Sequence, residues 1–145
     1  MIYGRKFGTA LTLDVFQPTK TNNGCAIIHM VSGGWFSSHD NVRAATYAAF
    51  LDRGYTVFAI VHGSQPRFVI PEIVGDIHRA VRWVRANAAK YGVNPEKFGI
   101  TGASAGGHLS LTLGTQGGPG DAKAKDPIDR ESSAVQAVAC FFPPT

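Results

Sequence analysis

KFGITGASAGGHLSL, residues 97–111, sets one serine among neighbours with almost no bulk. Lys97–Gly102 reads as a short strand. From Ala105 to about Leu113 the chain reads as a helix, with Leu109 and Leu113 spaced i, i+4. Between the two, Gly102-Ala103-Ser104-Ala105-Gly106 satisfies G-x-S-x-G in the strand–turn–helix setting that this pattern needs. So abrupt a turn strains the backbone at Ser104 and leaves no room for adjacent side chains, hence a glycine two residues to either side. The same corner pushes the Ser104 hydroxyl outward. A plain small-residue turn is the competing reading; the flanking strand and helix favour a displayed nucleophile.

Working outward, the same alternation of strand and helix recurs. Ile73, Ile77, Val81, Val84 and Ala88 fall at i, i+4, i+8, i+11 and i+15, one stripe of a helix about five turns long that starts near Pro71. Gly92 and Asn94-Pro95 end it. Tyr55–Val61 (YTVFAIV) is a continuous β-branched and aromatic run, and Cys25–Val31 (CAIIHMV) follows the turn residues Asn22-Asn23-Gly24; both read as buried strands. Leu11–Phe16 alternates as a half-exposed strand ended by Pro18. Asn41–Asp52 reads as a short helix stopped by Gly54, Gly117–Arg130 as a polar loop, and Ala134–Phe142 as a last strand. Strands separated by helices predict an α/β fold, a mostly parallel sheet with helices on both faces.

The chain has 145 residues, enough for one domain, and its 44% hydrophobic and 17% charged residues suit a folded protein. The net charge of +4 is dispersed. Arg79, Arg82 and Arg85 share one helix, Lys123 and Lys125 lie in the polar loop, and these read as solvated faces. No basic run is interleaved with aromatics as a nucleic-acid groove requires. Cys25 and Cys140 sit in apolar strand-like runs and read as small hydrophobes rather than as a disulfide. No apolar run approaches the roughly 20 residues that span a bilayer, and MIYGRKFGT lacks a signal core, so the chain reads as soluble.

A second glycine-rich loop follows the strand Cys25–Val31. In Ser32-Gly33-Gly34-Trp35, successive amides can turn inward as an oxyanion cradle, although a flexible turn would use the same residues. The helix from Ala105 points its free N–H groups and positive dipole end at Ser104. Gly33, Gly34 and Ala105 are therefore the candidate oxyanion donors, Gly102 and Gly106 the glycines of the corner, and Ser104 the candidate nucleophile of an acyl transfer. Gly99-Ile100-Thr101-Gly102 does not fit G-x-G-x-x-G, which argues against a dinucleotide.

These motifs resemble the N-terminal half of α/β-hydrolases of the esterase/lipase group, near the hormone-sensitive-lipase-like and BD-FAE-like carboxylesterases. That group's upstream loop usually reads HGGGW. Here Val31-Ser32-Gly33-Gly34-Trp35 keeps the last two glycines and the tryptophan but not the histidine or the first glycine. DIHRAVRWVRANAAKYGVNPEKFGITGASAGGHLSL also resembles the group's approach to its nucleophile. The resemblance implies an incomplete α/β-hydrolase fold, a small carboxylic-ester substrate, an acyl-enzyme on Ser104 and no cofactor. It also implies the chain order Ser, acid, His.

No histidine follows His108, so residues 1–145 are expected to be one α/β-hydrolase domain without the part carrying acid and base. The alternative is a catalytically incomplete fragment or an interaction module. His108, one helical turn past Ser104, and His29, in a buried strand, read as packed; His78 reads as solvated; His39 and His62 lie near the sheet's carboxyl edge. Their spacing contains no H-x-x-x-H pair, and no metal is expected. Asp121, Asp126, Asp129 and Glu131 share the polar loop, whose evident role is solubility. Ala134–Phe142 would be an uncovered apolar edge, open to pairing with a second copy of the chain.

Overall fold

A computed structural model describes residues 1–145. Its strands are β1 (Ile2–Lys6), β2 (Thr9–Phe16), β3 (Ala26–Met30), β4 (Thr56–Val61), β5 (Phe98–Ala103) and β6 (Ala137–Phe141). Six consecutive buried residues make β4 the most enclosed strand, since apolar faces on both sides need cover on both sides. The strands form one sheet in the order β1-β2-β4-β3-β5-β6. β4, β3, β5 and β6 run parallel, and β1 and β2 form an antiparallel margin. Register aligns Ile28 of β3 with Phe58 on one side and Ile100 on the other, and these three side chains share one face.

On that face lie α2 (Ile70–Ala86) and α3 (Ala105–Gln116). The expected stripe is realised: Ile73, Ile77, Val81 and Val84 are fully buried, and Ala88 is buried in a 3-10 turn just after α2. At about 1.5–3 kcal/mol per buried aliphatic side chain, this burial outweighs helix propensities of tenths of a kcal/mol, so packing holds α2 in place. The Val69 N–H donates to Glu72 at 2.9 Å and fixes where α2 begins. Helices do cover both faces, but the second layer is thin. There Tyr47, Val31, Val57 and Ala59 form a small cluster beneath α1 (Ala48–Leu51).

Several expectations are corrected. β1 was not legible, because a bulge between Ile2 and Gly4 breaks the alternation that would have marked it. Asn41–Asp52 holds one 3-10 turn, Ala44–Tyr47, and a single turn of α-helix, Ala48–Leu51, rather than one helix; only Tyr47 is buried there, so no apolar stripe exists to hold a longer one. α3 extends to Gln116. Cys25 and Cys140 are half-buried free thiols.

The arginines of α2 are not a solvated face. Arg79 binds Asp126 at 2.6 Å, Asp129 at 2.8 Å and the Tyr3 carbonyl at 2.9 Å. Arg82 reaches the Glu131 carbonyl at 3.1 Å, and Arg85 reaches the Ser132 and Ala134 carbonyls. They pin the segment that leads into β6, and two of the loop carboxylates are anchors. His78, expected in solvent, is half-buried and hydrogen-bonded to Ser133 at 2.8 Å. β6 itself is largely exposed, as expected for an uncovered edge. No helix is long and apolar enough to cross a membrane.

Candidate active site

Ser104 occupies the single residue between β5 and α3, with φ 52° and ψ −124°, and its side chain is exposed. This left-handed conformation is unfavourable for a residue with a Cβ. It is held from both sides: the Ser104 N–H donates to Phe141 of β6 at 3.0 Å, and its carbonyl accepts from His108 at 3.0 Å. The flanking glycines answer to close approach. A Cβ on Gly106 would sit 2.5 Å from the Met30 carbonyl of β3, and one on Gly102 would strike the Gly106 carbonyl. The first turn of α3 therefore presses on the end of β3. The Ala105 N–H has no acceptor and opens α3 beside Ser104.

The cradle loop is more closed than its sequence suggests. Gly34 at φ 55° and Trp35 at φ 58° form a two-residue turn, in which Gly33 donates to Phe36 at 3.0 Å and Phe36 to Gly33 at 2.9 Å. Of the two glycine amides, Gly34 is free and Gly33 is already taken. The loop touches α3: a Cβ on Gly106 would lie 3.4 Å from the Ser32 carbonyl, and the Trp35 ring stands edge-on to His108 at 5.6 Å. Trp35 Nε1 and His108 Nδ1 are buried without protein partners. A cavity of about 330 Å³ opens between the loop and the end of β5, lined among others by His29, Ser32, Gly33 and Ala103.

Four histidines have partners other than Ser104. His29 Nδ1 and the Tyr47 hydroxyl share a 2.8 Å hydrogen bond. Burial lowers the pKa of His29, and burial followed by the charge of Asp14 pushes Tyr47 up to about 12. His39 lies between Asp14 at 3.0 Å and Thr12 at 2.6 Å on an exposed face. His78 holds Ser133. His62 is buried, with Nε2 2.8 Å from the Ser32 hydroxyl and Nδ1 2.7 Å from the Gly63 carbonyl. No cluster of three or more His, Cys, Asp or Glu side chains is arranged to hold a metal.

The Ser32–His62 pair was not anticipated. The available signal was Ser32 itself, a side chain where the resembling group carries glycine. Sequence spacing could not show that it meets a residue thirty positions away.

The BD-FAE family matches residues 13–145. The probable carboxylic ester hydrolase LipM of Mycobacterium tuberculosis is 31% identical over 144 residues, 97% of this chain and 33% of that protein. Esterase LipQ of the same organism is 29% identical over 117 residues, 80% of this chain and 27% of its own. Among solved structures, butyrate-bound esterase 2 from Thermogutta terrifontis superposes with a TM-score of 0.82 at 28% identity, covering 99% of this chain and 52% of that one. The acetyl ester-xyloside bifunctional hydrolase of Caldicellulosiruptor lactoaceticus gives 0.78 at 27%, covering 93% and 49%. The chain thus spans about a third of these curated relatives and about half of these solved structures.

Proposed function

This chain belongs to the BD-FAE family, whose relatives here are carboxylic ester hydrolases, and we propose that Ser104 is its nucleophile. The observation that carries this reading is the corner: an exposed serine at φ 52° whose neighbour Ala105 offers an unused N–H at a helix start. The Ser104 oxygen attacks the acyl carbonyl, and the oxyanion accepts from Ala105 and Gly34. Gly33 serves as a donor only if its bond to Phe36 opens. The alcohol leaves with the serine's proton, and water then releases the acid from the acyl-enzyme.

A base must take that proton. Four of the five histidines are committed to other hydrogen-bond partners and His108 packs against Trp35, so the proposal assigns acid and base to residues outside 1–145. On this reading residues 1–145 are the nucleophile-bearing part of one α/β-hydrolase domain. Butyrate-bound and propionate-bound forms of the Thermogutta esterase favour short acyl groups as substrates here.

The test is turnover of p-nitrophenyl butyrate by the protein as its gene encodes it, with and without Ser104→Ala. The proposal requires a loss of about a thousand-fold or more in kcat. A ratio near one, or no turnover by either form, overturns it.

A further inference from the structure

We propose that Ser32 and His62 form a directional pin that sets the Gly33–Phe36 turn, with the imidazole held as the Nδ1–H tautomer and the Ser32 hydroxyl as donor. The proposal rests on the reading of that turn as part of the oxyanion cradle. Its geometry begins at Gly63, whose carbonyl can only accept. A contact of 2.7 Å therefore places the proton on His62 Nδ1. Nε2 is left with a bare lone pair, and the hydroxyl 2.8 Å away must donate to it. Both partners are positioning residues.

The rest of the loop is tied to the same segment. The Ser37 hydroxyl bonds the Val31 carbonyl and receives the His62 N–H at 3.3 Å. Ser64 accepts from the Ser37 N–H at 2.8 Å and donates to its carbonyl at 3.0 Å, and Gln65 donates to Trp35 at 3.1 Å. Ser32 holds one end of the turn and Ser37 the other. Between them Trp35, a residue with a Cβ, is kept at φ 58°. Releasing the Ser32 end lets Trp35 relax and takes the Gly34 N–H out of line.

The charged groups facing His62 are Asp76 of α2 and Lys6 of β1, 2.8 Å apart; Asp76 also accepts the Gly63 N–H at 3.0 Å. Their effects on the imidazole oppose each other, and burial, the leading cause, keeps it neutral. Protonation would place hydrogens on both ring nitrogens and force the Ser32 hydroxyl to turn and accept.

Nitrogen NMR of the encoded protein, with Ser32→Ala and Ser32→Thr, tests the pin. The expected result is a protonated Nδ1 and a bare Nε2 on His62 at neutral pH. Exchange of the Gly33 and Phe36 amides, which bond each other, should quicken about tenfold or more in Ser32→Ala and be restored in Ser32→Thr, while β4 amides stay unchanged. On acidification the Gly33–Phe36 resonances should move with His62, and not in Ser32→Ala. An Nε2–H tautomer, or loop exchange indifferent to Ser32→Ala, overturns the pin. That failure is distinct from failure of the esterase reading, which is judged by ester turnover in Ser104→Ala.

Discussion

At Ser104 the backbone pays a local cost so that the hydroxyl can stand free. At φ 52° and ψ −124°, a non-glycine residue carries about 1–3 kcal/mol of strain. Ser104→Gly should therefore raise the unfolding free energy by about 1 kcal/mol, net of glycine's greater freedom in the unfolded chain. A urea titration checks this, and destabilisation would mean the strain is absent. Gly106→Ala should lower stability by about 2 kcal/mol or more, because the methyl group meets the Met30 carbonyl of a central strand, which cannot yield. An unchanged urea midpoint would contradict the close approach. The corner was legible in sequence because G-x-S-x-G states a steric requirement. The state of the Gly33 amide was not, since it depends on Trp35, a non-glycine residue, adopting a left-handed conformation that its side chain does not announce.

At the scale of elements, α2 does two jobs with two faces. Its apolar stripe was readable because burial imposes a period of 3.6 residues. Its arginines looked solvated because nothing local reveals that a segment some fifty residues later folds over them. Arg79→Ala removes a partly exposed guanidinium that holds Asp126, Asp129 and the Tyr3 carbonyl together. The expected cost is about 1–2 kcal/mol, less than a buried ion pair because solvent screens it. Amide exchange should quicken from Gly118 to Ser133, where the Ser133 N–H bonds the Gly118 carbonyl at 2.9 Å. Protection unaltered in that segment would show that the arginine is incidental. Asn41–Asp52 fails as a single helix for the converse reason: Tyr47 is its one buried side chain, too little to hold three turns.

Over the whole molecule, fold class followed from the alternation of periods, which any parallel sheet imposes on its chain. The antiparallel margin at β1 escaped because the bulge between Ile2 and Gly4 breaks the alternation that would have marked the strand. One further property belongs to the entire molecule. His29, His62 and His78 all have pKa values lowered first by burial. The unfolded chain therefore binds protons more readily than the folded one from about pH 6.5 downward. Stability is at its full value above that range and falls as acidification proceeds toward the lowered pKa values. Urea midpoints taken between pH 8 and pH 5 should decline below about 6.5, and His78→Gln should soften the decline. A flat profile would contradict the burial of these rings.

Reaction with paraoxon followed by peptide mass analysis tests the nucleophile most directly, using the protein as its gene encodes it. Paraoxon is known to phosphorylate Thermogutta esterase 2, one of the structural neighbours. The serine oxygen displaces p-nitrophenol from phosphorus and keeps the diethylphosphoryl group. The expected result is one adduct, on the peptide that contains Ser104, and none in Ser104→Ala. An adduct on another residue such as Ser32, or one that survives Ser104→Ala, would contradict it.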